Sequence, residues 1–150
     1  MLNSINTLTD LKELKNIAKK LSDTVSIGDI YLLSGELGSG KTTFARFFIN
    51  SIFDNNSIQK PESIKSPSFP LMINYSIKNF NISHYDLYRL KNVNDLKELN
   101  IDENIKKNIT IIEWPELFIN KFNQQNYYLV KLKIINSNSR MIQIEYIKKN

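Results

Sequence analysis

Residues 30–48 read IYLLSGELGSGKTTFARFF, and glycine is concentrated in this stretch. Three of the chain's 4 glycines lie within the segment GELGSGKT, residues 35–42. This segment matches G-x-x-x-x-G-K-[ST], the pattern of a loop whose backbone amides cradle phosphate groups. The apolar run before it predicts a buried strand over Ile30–Ser34, and the apolar positions after it recur at helical spacing. The stretch therefore predicts a strand, a phosphate-binding loop and a helix in succession.

Each residue type in the loop has a physical reason. Glycine permits positive φ and close approach of the backbone, so successive N–H groups can surround a triphosphate. The helix that begins near Lys41 adds the partial positive charge of its N-terminus. We expect Lys41 to reach the β- and γ-phosphates and the Thr42 hydroxyl to bind Mg²⁺. The nucleotide-binding candidates in this loop are Gly35, Gly38, Ser39, Gly40, Lys41, Thr42 and Thr43.

A magnesium site of this kind needs a further acid. A strand next to the loop's own strand usually delivers it at its C-terminal end. The stretch NITIIEWPE, residues 108–116, supplies a buried-strand pattern that ends in Glu113. The other candidate is Asp86 in HYDLYRL, which could bind the metal or orient the attacking water. Structural alternatives stay open: Glu113 could cap a helix suggested by Pro115, and Asp86 could cap a helix or pair with Arg89.

The rest of the chain alternates between helical and strand patterns. Asp10 and Glu13 resemble a capping pair at the start of a helix that extends to about Leu21. The further predicted elements are a loop over 54–65, strands over 68–77 and 80–88 with a turn at 78–79, one or two short helices over 92–107, a strand over 109–113, and a hairpin of 127–135 with 140–147. This order indicates an α/β fold. We expect residues 1–150 to form a single domain, a P-loop NTPase-like three-layer α/β/α sandwich with a mixed central sheet and a C-terminal β-hairpin.

Composition narrows the class of protein. The net charge is +5, but arginine occurs only at Arg46, Arg89 and Arg140, and the other cations are scattered lysines. Because arginine is the usual ligand of bases and phosphates, dedicated nucleic-acid binding is disfavoured on charge alone. The chain has 0 cysteines, which excludes disulfides and thiol chemistry. No apolar run is long enough to cross a bilayer and no secretion signal is evident, so we expect a cytoplasmic protein without membrane contact.

Four stretches together resemble one protein family. GELGSGKTTFARFF, SPSF (66–69), HYDLYRL (84–90) and EWPE (113–116) occur in the order and spacing of the TsaE family, formerly called YjeE. These are small bacterial P-loop ATPases of the tRNA threonylcarbamoyladenosine pathway. The resemblance extends from the first helix to the final hairpin, and the combination of motifs is more specific than the phosphate loop alone.

The resemblance assigns roles to individual positions. It implies that Asp86 is essential for hydrolysis and that Glu113 completes the metal site as the Walker B acid. It further implies nucleotide contact for Ser68 in a switch-like loop, for Trp114, and more loosely for Thr7 and Arg140; a lone Trp could equally be a core residue. Two positions depart from the family pattern. Ser68 replaces a threonine but keeps its hydroxyl, and Asn100 replaces a glycine but tolerates left-handed backbone.

By the same resemblance, the expected reaction is the Mg²⁺-dependent hydrolysis of ATP to ADP and phosphate. The implied partners are TsaD and TsaB, with tRNA reached indirectly through their complex. Whether the protein contacts tRNA directly and whether it self-associates stay open. Because the sequence offers no obvious arginine finger, we expect weak activity without partners. The alternatives are a nucleotide-dependent docking module and a small-molecule P-loop kinase, which usually needs several lid arginines. A GTPase is disfavoured, since no N-K-x-D or D-x-x-G stretch is present.

Overall fold

A mixed sheet of 7 strands forms the centre of the molecule, and the computed structural model describes residues 4–149. The strands are β1 Ser4–Thr9, β2 Ile30–Ser34, β3 Met72–Ile77, β4 Phe80–Asp86, β5 Ile109–Glu113, β6 Tyr127–Asn136 and β7 Ser139–Ile147. The helices are α1 Leu11–Ser22, α2 Lys41–Asn55 and α3 Ile101–Lys107, with short 3-10 helices at Val93–Leu99 and Ile119–Phe122. Among residues 4–149, no helix is long and apolar enough to cross a membrane.

The strand order β1-β7-β6-β2-β5-β4-β3 decides where the loops gather. The strand β2 pairs in parallel with β5 and β6, and β4 pairs in parallel with β5. The outer strands β3, β7 and β1 pair antiparallel to their neighbours. Because β2, β4 and β5 run in one direction, the loops after them meet at one edge of the sheet, the usual place for a ligand in such sheets.

Two apolar layers cover the sheet. On one face α1 and α2 pack against the strands, and Phe44, Phe48 and Ile52 of α2 are fully buried there. These three residues share one side of the helix, as the apolar spacing of α2 requires. On the other face α3 and the 3-10 helices pack against Leu32 and Ile112. The helix–sheet–helix arrangement confirms the predicted α/β fold with a mixed sheet and a C-terminal β-hairpin.

Most predicted elements are present, with some shifted boundaries. The helix over 10–21 is α1, whose N-cap Asp10 accepts a hydrogen bond from the amide of Glu13. The predicted strand over 68–77 begins only at Met72, because Ser68–Pro70 form a turn and Leu71 has φ +66°. The strand over 80–88 ends at Asp86, and α2 extends two residues, Asp54 and Asn55, into the segment predicted as the loop 54–65. Strand β1 was not predicted.

The left-handed position expected near residue 100 is confirmed. Asn100 has φ 51° and ψ 36° and joins the 3-10 helix Val93–Leu99 to α3. Asparagine is one of the few residues with a side chain that adopts this conformation readily. The turn is therefore formed without the glycine of the family pattern.

Candidate nucleotide site

The loops after β2, β4 and β5 enclose a cleft of about 350 Å³, which we call the phosphate cleft. The predicted residues that line it are Gly38, Gly40, Lys41, Thr42, Thr43, Ser68, Asp86, Glu113 and Trp114. Leu37, Ser66 and Tyr88 line it as well. Residues from the glycine loop, the SPSF segment and the ends of two further strands thus converge on one space.

The glycines of the loop divide into two kinds. A methyl group on Gly35 would lie 2.5 Å from both the Leu132 carbonyl oxygen and the Ser39 hydroxyl oxygen, so Gly35 is required by packing. Gly38 and Gly40 have φ +79° and +107°, and a methyl group on either would have no atom within 4 Å. At these two positions the backbone leaves open space for a ligand, as a phosphate cradle requires.

Lys41 lies inside the loop with only 5% of its surface exposed. Its Nζ donates to the carbonyl oxygens of Gly35 at 2.6 Å and Glu36 at 2.9 Å. The same atom lies 3.9 Å from the centre of the Trp114 ring, a cation–π contact. Burial lowers the pKa of Lys41, and nearby carboxylates, Glu113 foremost, oppose that shift. The cleft therefore holds a desolvated cation, which a phosphate anion would complement.

The Glu113 carboxylate bonds one residue of α2 and one residue of β4. The register pairs it with Leu33, so it lies at the end of β5 beside the glycine loop. Its Oε1 accepts a hydrogen bond from the Thr42 hydroxyl at 2.8 Å. Its Oε2 lies 2.6 Å from His84 Nε2. The carboxylate thus bonds Thr42 and His84, and no helix begins at Pro115.

Asp86 lies beside Glu113, because the two are register partners on β4 and β5. Its Oδ2 accepts a hydrogen bond from the Ser66 hydroxyl at 2.6 Å, and its Oδ1 accepts one from the Tyr88 amide at 3.0 Å. Within residues 4–149 it forms no ion pair with Arg89, whose guanidinium lies over the Phe69 ring instead. The carboxylate is therefore held by two donors at the cleft wall.

The cleft offers oxygen donors suited to Mg²⁺. In the described part of the chain, no group of three His, Cys, Asp or Glu side chains is arranged to hold a metal ion. Mg²⁺ in phosphate-transfer sites typically takes one or two carboxylates and completes its shell with water and substrate oxygens. Glu113, Asp86 and the Thr42 hydroxyl match that donor set.

Arg140 contacts the loop itself. Its Nε donates to the Ser39 carbonyl oxygen at 3.1 Å and its Nη2 to that of Gly38 at 3.2 Å. Arg140 and Ser39 line a second cleft of about 290 Å³ on the α1 side of the loop, together with Thr9 and Asp10. We call this the hairpin cleft.

Thr7 is the predicted residue that the structure does not bring to the loop. It is exposed on β1 opposite Ile142, and its hydroxyl donates to the Leu8 carbonyl oxygen. It lines neither the phosphate cleft nor the hairpin cleft. The chain places Thr9, two residues further along, at the position next to the loop.

Trp114 is not a core residue. It is partly exposed, its φ is +59°, and its ring contacts Lys41 and lies 4.8 Å from the Tyr88 ring, centre to centre. A left-handed backbone at a bulky residue is unusual and is often found at functional sites. The two rings form one wall of the phosphate cleft.

Sequence reasoning assigned no role to Ser66, Tyr88 and His84. Ser66 and Tyr88 stand in the motifs SPSF and HYDLYRL, but the partner that each one bonds depends on how its loop folds. One feature of the sequence could have indicated His84: it lies two residues before Asp86, so the two side chains project from the same face of a strand.

Comparisons with known proteins give a consistent result. The family model described as "Threonylcarbamoyl adenosine biosynthesis protein TsaE" matches residues 8–142. A tRNA threonylcarbamoyladenosine biosynthesis protein TsaE from Rickettsia typhi is 38% identical over 141 residues, which cover 94% of each chain. One from Borreliella burgdorferi is 28% identical over 89% of this chain and 93% of its own. The crystal structure of YdiB from Bacillus subtilis superposes with a TM-score of 0.70 at 23% identity, covering 96% of this chain and 86% of that one, which shows a shared fold.

Proposed function

This chain belongs to the TsaE family of threonylcarbamoyl adenosine biosynthesis proteins, and from that premise we propose that it binds ATP with Mg²⁺ and hydrolyses it to ADP and phosphate. One observation carries the proposal: the Thr42 hydroxyl bonds Glu113 at 2.8 Å in the same cleft that holds the buried ammonium of Lys41. In P-loop sites a Ser or Thr hydroxyl and a nearby acid bind Mg²⁺ beside the phosphate-binding lysine, and this arrangement supports the proposal.

The phosphate groups would be bound by the loop. Gly38 and Gly40 have open space beside their Cα atoms, where a phosphate group could approach the backbone, and Lys41 would exchange its bonds to loop carbonyls for bonds to phosphate oxygens. Thr42 and Glu113 would hold Mg²⁺, which would neutralise phosphate charge when bound. Asp86 would orient the attacking water or add a metal ligand, since two donors already fix its carboxylate.

We further propose that TsaD and TsaB are the partners and that the cytoplasm is the place of action. The arginine contacts support a partner-dependent reaction. Arg46 donates to the Ile64 carbonyl oxygen, Arg140 bonds the loop carbonyls, and Arg89 stacks on Phe69. None of the three lines the phosphate cleft. An arginine that stabilises transition-state charge is worth several orders of magnitude in P-loop enzymes, so contact with a partner is expected to complete or gate the site.

The test is a phosphate-release assay with and without Mg²⁺ and with and without TsaD–TsaB, beside a calorimetric ADP titration. Asp86→Ala is expected to lose phosphate release while ADP still binds, and Lys41→Ala is expected to lose phosphate release and to bind ADP more weakly. A docking module without hydrolysis would instead give the same low release for Asp86→Ala and for the unaltered chain. If the folded protein takes up no adenine nucleotide at millimolar concentration with Mg²⁺, the proposal is wrong.

A further inference from the structure

His84 is buried in the wall below the two carboxylates. It is 0% exposed and is the chain's only histidine, since the sequence has 1. On β4 it precedes Asp86 by two residues, and its register partner Ile111 precedes Glu113 by two residues on β5. Because side chains alternate along strands, His84, Asp86 and Glu113 all project to the α2 face of the sheet.

The ring makes a single hydrogen bond. Its Nε2 lies 2.6 Å from Glu113 Oε2, while the other carboxylate oxygen accepts the Thr42 hydroxyl. Within residues 4–149 the buried Nδ1 has no hydrogen-bond partner. A hydrogen on Nδ1 alone would leave a buried donor unpaired and set the Nε2 lone pair against a carboxylate oxygen. The hydrogen therefore belongs on Nε2, from where it is donated to Glu113.

A buried imidazole with one unpartnered nitrogen destabilises the folded state relative to an apolar side chain of similar size. Ile82 and Ile111 surround the site in the sheet core, and a leucine would fill the same space without a buried nitrogen that lacks a partner. The feature that only the imidazole supplies is the donor to Glu113. Partners of this kind orient a metal-binding carboxylate and hold it in one rotamer.

We propose that His84 is the positioning residue of the metal site: its Nε2–H holds Glu113 so that the carboxylate stays on Thr42 and faces the phosphate cleft. This rests on the proposed function, because it assigns Glu113 to Mg²⁺. His84 would not touch nucleotide, metal or water itself. Its effect would pass through the one hydrogen bond at 2.6 Å.

The first test is an NMR measurement on the ligand-free protein. With ¹⁵N-labelled histidine only one imidazole contributes, so no assignment is needed. We expect a slowly exchanging proton on Nε2 whose chemical shift moves in Glu113→Gln. The shift should stay unchanged in Thr110→Val, a matched control that alters a buried, unpartnered hydroxyl on the opposite face of β5. A hydrogen on Nδ1, or no response to Glu113→Gln, would overturn the inference.

The second test measures metal affinity. In His84→Leu the Mg²⁺ concentration that half-saturates the ADP complex is expected to rise about tenfold or more, as for other lost partners of metal ligands. His84→Gln keeps an N–H donor at a similar reach and should stay within about threefold of the unaltered chain. ADP affinity in EDTA should be the same for both variants and for Thr110→Val. If His84→Leu folds and retains Mg²⁺ affinity, or if both variants lose ADP affinity in EDTA as well, His84 is only a structural residue.

The outcomes separate this inference from the function on which it rests. If the unaltered protein binds neither ADP nor Mg²⁺, the proposed function fails and the metal-site role falls with it. If the unaltered protein binds both and His84→Leu matches it, only the inference about His84 fails. Should His84→Leu not fold, the NMR shift and His84→Gln decide the question.

Discussion

Lys41 is a largely buried cation at the cleft wall, and this burial makes its charge sensitive to pH. Burial lowers its pKa below the ordinary value of 10.5. In the interval between the lowered pKa and 10.5 the unfolded chain binds more protons, so this residue's contribution to the free energy of unfolding increases as pH rises. Phosphate binding has the opposite dependence, because it needs the ammonium form.

We therefore predict that ADP affinity falls as pH rises, and that the fall begins below pH 10.5. Lys41→Arg stays charged over this range, so its affinity should not decline with pH. Lys41→Met should bind roughly 10- to 100-fold more weakly at neutral pH, the usual worth of a hydrogen bond from a charged group. Calorimetric titrations from neutral to alkaline pH measure all three. Parallel profiles for the unaltered chain and Lys41→Arg would contradict the prediction.

The glycines of the loop should respond differently to alanine. In Gly35→Ala the new methyl group meets the Leu132 carbonyl oxygen at a backbone φ of +153°, so we expect a loss of about 3 kcal/mol or more in the free energy of unfolding. Gly38→Ala has open space and should lose only about 1 kcal/mol. Its methyl group enters the ligand space, however, so ADP binding should weaken. Urea unfolding and ADP titration of the pair test this; equal unfolding free energies would refute it.

At the scale of elements, the segment before β3 is anchored to the end of β4. Ser66 donates to Asp86, and the Leu71 carbonyl oxygen accepts a hydrogen bond from the Asp86 amide at 3.1 Å. Ser68 is exposed at the cleft, and among the described residues it makes no hydrogen bond to the carboxylate of Asp86 or of Glu113. The segment therefore brings two hydroxyl groups to the cleft: that of Ser66 holds Asp86, and that of Ser68 is free to contact a ligand.

We predict that Ser66→Ala and Ser68→Ala affect different steps. Ser66→Ala removes one of the two donors that hold the Asp86 carboxylate, so the rate of phosphate release should drop about tenfold with ADP affinity nearly unchanged. Ser68→Ala leaves Asp86 held, and its effect should appear only with ATP, if its hydroxyl senses the γ-phosphate. Rates and affinities for ADP and ATP are the measurement. A Ser66→Ala variant with full activity would show that Asp86 needs no such support.

At the scale of the whole molecule, the final hairpin stabilises the first motif of the chain. The guanidinium of Arg140 bonds the Ser139 and Asn136 carbonyl oxygens of its own turn and the Gly38 and Ser39 carbonyl oxygens of the loop. The antiparallel pairing of β6 with β7 brings that turn alongside the loop. The C-terminal hairpin thus supports the conformation of the phosphate-binding loop.

Arg140→Ala should accordingly weaken the binding of ADP and of pyrophosphate by the same factor, about tenfold. The physical reason is that both ligands use the loop, and the loop loses two charge-assisted hydrogen bonds. Gln143→Ala, on the same strand, is the control, since Gln143 bonds Glu145 rather than the loop. Loss of ADP affinity alone would instead indicate that Arg140 contacts the base or ribose.

Local patterns were sufficient for the strand, loop and helix over residues 30–53 and for most other elements. The reason is that the conformational freedom of glycine, the spacing of apolar residues and the left-handed preference of Asn100 act within a few residues of the chain. The position of Glu113 at the end of a buried strand was predictable for the same reason. Family motifs then added Ser68 and Trp114, both of which line the phosphate cleft.

The features that could not be predicted from the sequence depend on pairing between residues far apart in the chain. The strand β1 has little apolar alternation and exists through its pairing with β7, which no local pattern reveals. The bond from Thr42 to Glu113 spans 71 positions of sequence, and that from Arg140 to Ser39 spans 101. Which oxygen each donor meets depends on strand register and loop closure, so the roles of His84, Ser66 and Arg140 arose only once the sheet had brought distant segments together.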